Sequence, residues 1–202
     1  MNKPKFIFSV AALFLGSLLF AANSFGQNQQ QPSYEVVLNV LTASNTANDK
    51  SDSVPQSLAT VVKKLKTTYS FSNYRLSSTY FQRVANTGNM EFKGVSNEPN
   101  QDVYAPIFSE WTLGQLVTLP DAKGQNAISI QSFRFGQRVP VKTSSSTDQS
   151  GKLNSIVNYE AVGLYLQKLN LPVNVPTIVG NLSTSKADEL VFLILTVKPT
   201  EE

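Results

Sequence analysis

The sequence predicts a β-rich α+β fold: an N-terminal βαββ unit followed by a C-terminal antiparallel sheet or sandwich. Three observations carry this expectation. Residues 34–43 alternate as a strand does, residues 53–66 hold one apolar stripe at helical spacing, and from 107 onward β-type runs follow one another across short polar turns.

Before the first element, Lys3 and Lys5 precede an apolar run over 6–22, and Ser24 and Gly26 stand where small residues precede a cleavage site. This pattern predicts a secretory signal over 1–26, cut before Gln27. A retained membrane anchor is the alternative, and the run is at the short end for a spanning helix. No Cys follows to carry a lipid anchor. Taking Lys3 and Lys5 from the 17 basic residues leaves 15 against 14 acidic ones, so the mature chain is close to neutral. A nucleic-acid partner has no electrostatic footprint in that balance, and no integral span is expected after cleavage.

Residues 27–33, rich in Gln, form a polar leader that buries nothing. In 34–43, Tyr34, Val36, Leu38 and Val40 face one way and Val37 and Leu41 the other, so this strand is expected to be covered on both faces. A polar loop fills 44–53. Ser53 can cap the helix that follows, Pro55 suits its first turn, and Leu58, Val61, Val62 and Leu65 line one face, to cover a sheet. Lys63, Lys64 and Lys66 suit the carbonyl end of that helix. Residues 74–85 and 89–95 read as a hairpin across Asn86-Thr87-Gly88, with Gly88 free to take a positive φ. That completes the βαββ unit over 34–95. A polar stretch with two prolines, 96–106, is expected to be a linker, and 107–202 a second, all-β domain. Its strands are read at 107–119 with a break near Gly114, then 127–135, 138–143, 153–167, 173–179 and 189–198, and 144–151 is a solvated loop.

Three phrases within that second domain are similar to the secretins, the outer-membrane ring proteins of type II and type III secretion and of type IV pili. They are Gly136, Val139, Pro140 and Val141; then Asn158, Tyr159, Val162, Gly163, Leu164 and Leu166; and last Glu189, Leu190, Val191, Phe192, Leu195 and Thr196. Their order matches that of the secretin C-terminal region. A secretin carries pore-forming strands between the second and third phrases, whereas here only residues 167–188 intervene, too few for several spanning hairpins. The resemblance therefore implies a secretin scaffold without the pore.

Catalysis finds little support. Zero His and zero Cys exclude a Ser-His-Asp triad, a Cys nucleophile and a thiolate zinc site. Ser183 and Lys186 match S-x-x-K but lead into a strand, and the phrases that accompany it in acyl-transfer enzymes are missing. Residues 180–186 lack the second Gly and the helix of a phosphate loop. Asp188 and Glu189 are adjacent and so point to opposite faces of a strand. Asp49 and Asp52 lack the pattern of a calcium loop. No metal and no cofactor are expected. Gly136 and Gly163 read as bulges or close backbone approaches.

The expected role is binding: an exported, periplasmic or outer-membrane-associated, non-catalytic component or accessory of a secretin-like secretion or pilus system. Its partners would be envelope or secretion proteins or a second copy. The expected partner-facing residues are Arg138, Val139, Pro140 and Val141, on an edge open to strand addition, with the aromatics Tyr104 and Trp111. Two other classes stay open. One is a small-ligand carrier with a cavity lined by Phe133, Phe135, Tyr159 and Tyr165. The other is an enzyme of unrecognised type using Ser183 and Lys186.

Overall fold

Residues 33–45, 54–96, 105–147, 153–184 and 188–200 are described by the computed structural model; the expected signal and leader lie outside them. The first strand, β1 (Ser33–Ser44), shows why alternation alone understates burial. Its residues Tyr34, Val36, Leu38 and Val40 enter one core, and Leu41 and Ala43 enter a second on the opposite face. A strand with two apolar faces is stable only between two layers. One layer is supplied by a 3₁₀ turn (Gln56–Leu58) running into α1 (Ala59–Thr68), which buries Leu58, Val61 and Leu65. Thr67 and Thr68 both donate to the Lys64 carbonyl in the last helical turn, and the Tyr69 N–H closes it on the Leu65 carbonyl.

The remaining strands are β2 (Asn73–Ala85), β3 (Met90–Val95), β4 (Phe108–Pro120), β5 (Asn126–Thr147), β6 (Leu153–Pro172), β7 (Thr177–Ser183) and β8 (Glu189–Pro199). They form two antiparallel sheets of four, in the orders β2-β1-β8-β7 and β3-β4-β5-β6. The expected fold class holds: a mostly β, α+β chain. The sheets face each other across Trp111, Phe133, Phe135, Leu193 and Leu195, all fully buried. The Tyr34 hydroxyl pairs with Thr118 Oγ1 at 2.9 Å and so ties the first sheet to the second. α1 packs on the outer face of the first sheet, against Phe192 and Ile194. No such element covers the outer face of the second among the described residues.

The expected hairpin of the second and third strands is not formed. β2 pairs with β1, whereas β3 pairs with β4. The turn at 86–88 passes the chain from one sheet to the other, held by the Thr87 N–H on the Leu116 carbonyl. Thr87, not Gly88, takes the positive φ, at 58°. The element order strand, helix, strand, strand is as expected, but the first strand finds its second partner at the far end of the chain, since β1 pairs with β8 along its length. Of the expected linker 96–106, residues 97–104 lie outside the described residues.

Two strands are longer than their sequence suggests. The runs at 127–135 and 138–143 are one strand, β5, that passes through Gly136, and β6 continues to Pro172. β4 also passes through Gly114 without a break. The irregular row lies one residue later: Gln115 (φ 28°) and Lys168 (φ 54°) flank Gln131 on three neighbouring strands. Because all three strands kink at the same level, the register survives while the inward set shifts from Leu113 to Leu116 on β4 and from Phe133 to Ile130 on β5. No helix of the described residues is long and apolar enough to cross a membrane.

Candidate protein-docking face

The outer face of the second sheet is a grid whose rows follow from strand register. One row runs Glu91, Thr112, Arg134, Tyr165; the next Lys93, Glu110, Gly136, Gly163; the third Val95, Phe108, Arg138, Ala161. A fourth, on β5 and β6 alone, holds Pro140 and Tyr159. Alternation along each strand puts these side chains on the side opposite the buried Trp111, Phe133 and Phe135.

Two features give the grid its character. Opposed glycines leave its middle without side chains, and around them lies an open depression of about 770 Å³ bordered by Glu110, Arg134, Arg138 and Tyr165. Beyond Arg138 the surface turns aromatic: Phe108 and Tyr159 meet at 5.7 Å between centroids, each still 42% exposed, and Tyr165 is 59% exposed. Exposed aromatics grouped with Arg are the composition of protein-binding surfaces.

The charges are partly spoken for. Glu91 and Lys93 pair at 2.6 Å, and Glu110 and Arg134 at 3.6 Å. The hydrogen bond from Lys93, then its charge, holds the Glu91 carboxyl below its ordinary value, and the same contact raises Lys93. Arg138 makes no ion pair among the described residues. It remains an uncommitted cation beside the Phe108–Tyr159 pair.

Of the expected partner-facing residues, the structure brings Arg138 and Pro140 onto this face, at the root of a two-stranded arm where β5 and β6 run on past the end of β4. Val139 and Val141, one residue out of phase, turn to the other side and are half-buried. Trp111 is a correction: it is fully buried in the core, because it shares parity with Leu113 on β4. Tyr104 lies outside the described residues. Glu110 and Arg134 were missed; of the neighbouring aromatics, alternation through Phe108-Ser109-Glu110-Trp111 puts Phe108 outside and Trp111 inside. The four residues expected to line a ligand cavity do not converge: Phe133 and Phe135 point into a filled core, and Tyr159 and Tyr165 point away from it. Ser183 ends β7, and Lys186 lies outside the described residues.

No protein-family model matches the chain, and no curated protein matches it. Solved structures do. The secretin-domain β-barrel of InvG, from the Salmonella SPI-1 injectisome, aligns over 95% of this chain and 68% of that one at 12% identity and a TM-score of 0.33. The InvG secretin of the type III secretion injectisome aligns over 95% and 70% at 12% and 0.27, and its open-gate form over 95% and 66% at 12% and 0.30. Likeness at this level carries no function from those proteins to this chain.

Proposed function

We propose that this chain is an exported, non-catalytic scaffold component or accessory of a secretin-like secretion or pilus system, binding an envelope protein through the outer face of β3–β6. The single observation that carries the reading is the pairing of the sequence phrases. Gly136 stands opposite Gly163 and Pro140 opposite Tyr159 on adjacent strands, so two phrases far apart in sequence form one structural unit. The third phrase is β8, which lies inside the other sheet between β1 and β7. Between the second and third phrases the described residues hold only the end of β6, a turn and β7, which supports a scaffold without pore strands. The cleavable signal over 1–26 supplies the address: periplasmic, or attached to the outer membrane.

Fractionation of the host envelope tests it. The chain is expected to co-sediment with large envelope complexes, and Arg138→Glu combined with Tyr159→Ala is expected to release it at least tenfold, since removing two central contacts costs more than about 1.4 kcal/mol. Finding the wild-type chain in the cytoplasm, or in the envelope only as free copies, overturns the reading.

A further inference from the structure

The two strands of the arm have unequal outer edges. Opposite β5, β4 ends at Phe108, so the β5 backbone is open beyond Arg138; opposite β6 no strand is paired along its whole length among the described residues. Which backbone groups point outward follows from close approaches. The Phe135 carbonyl oxygen lies 2.3 Å from where a Cβ on Gly163 would stand, so Phe135 turns toward β6. The register runs unbroken from Phe135 to Lys142, and direction alternates residue by residue. Pro140 therefore turns its nitrogen, which has no hydrogen to donate, to the open side of β5. Lys142 follows on the same edge, and a register break comes between Lys142 and Ser144. Proline, lysine and a bulge are the devices that close an edge to strand addition.

β6 has none of these between Ile156 and Gln167; Glu160 is its one charged residue there. Its alternation is set by the same contacts, with the Val162 carbonyl directed at Gly136. Tyr159, Ala161, Gly163 and Tyr165 thus present their N–H and C=O groups outward. These four lie symmetrically about Val162, and both tyrosines project from the outer face, well exposed.

We propose that two copies of this chain join by the outer edges of β6, antiparallel about a two-fold axis at Val162. In that register Ala161 meets the partner's Gly163, and all four outward-pointing residues form hydrogen-bonded pairs. Each Tyr159 stands opposite the partner's Tyr165, a cross-strand aromatic pair at both ends. An isologous contact uses the same edge of both copies and so closes on itself at two copies. The inference goes beyond the docking function proposed above and stands without it.

The absence of cysteine makes the register testable on the full chain. Val162→Cys is expected to form a disulfide-linked dimer under mild oxidation, because opposed residues of a non-hydrogen-bonded pair have Cα atoms about 4.5 Å apart, within disulfide reach. Lys142→Cys, alone or mixed with Val162→Cys, is expected to give no adduct. Tyr159→Lys with Tyr165→Lys should lower dimer yield about tenfold by placing like charges opposite each other, and Tyr159→Lys with Tyr165→Glu should restore it. Circular dichroism melts run on every variant keep a folding defect apart from a pairing defect. A monomeric Val162→Cys chain that melts as wild type overturns the proposal. So does a mixed adduct with Lys142→Cys, which would mean head-to-tail pairing of β6 on β5, or a folded like-charge variant that still dimerises fully.

Discussion

Gly136 and Gly163 face each other across β5 and β6 but carry different constraints. A Cβ at Gly163 would meet the Phe135 carbonyl at 2.3 Å, whereas at Gly136 the nearest atoms, on Glu110, lie at 3.5 Å. Gly163→Ala is therefore expected to destabilise by at least about 2 kcal/mol, while Gly136→Ala stays within about 1 kcal/mol of wild type, both read from chemical denaturation. Tyr74 is a second residue-scale case. Its hydroxyl is buried without a hydrogen-bond partner among the described residues, and burial first, then Tyr69, raises its pKa above the ordinary 10.0. A raised folded pKa means that the contribution of neutral Tyr74 is present below the unfolded value and is lost as pH rises through the folded one. Tyr74→Phe keeps the ring beneath Lys66, 5.9 Å from its centroid, and removes the unsatisfied group. It is expected to leave stability unchanged or raise it by up to about 1 kcal/mol, and to flatten the alkaline decline.

At the scale of the element, α1 illustrates how far periodicity reaches. The stripe Leu58, Val61, Leu65 identifies both the helix and its buried face, and the apolar second face of β1 signals that a layer must cover it. What remained illegible was the partner of each strand, because alternation names a face and not a neighbour. β2 and β3 look like a hairpin since three turn residues separate them, yet the two strands take different sheets. Leu65→Ala, which empties the centre of the helix–sheet contact, is expected to cost about 2–5 kcal/mol in thermal or denaturant unfolding. On the arm, Pro140→Thr restores an N–H to the open β5 edge. It is expected to increase concentration-dependent association, measured by light scattering, with the melting temperature unchanged within a few degrees.

For the molecule as a whole, the pairing of β1 with β8 decides cooperativity. β1 lies between β2 and β8, so the N-terminal half of the chain shares its sheet with the last strand. Residues 33–95 produced alone are expected to remain unfolded by circular dichroism, since β1 loses the ladder to β8 and β3 loses β4. Trp111, the chain's one tryptophan, is fully buried between the sheets. Its fluorescence is expected to follow the same single transition as far-UV circular dichroism in the intact chain. Two transitions would show that the halves unfold separately.

Composition and local pattern by themselves determined that the chain is β-rich with one covering helix and that no histidine or cysteine chemistry operates in it. These are properties of short windows, where periodicity, charge and residue type act directly. Which Tyr, Trp and Arg residues reach the surface, which strands pair, and which edge stays open were decided only in three dimensions. Each depends on register between segments far apart in sequence, and one residue of phase moved Trp111 into the core and left Phe108 outside.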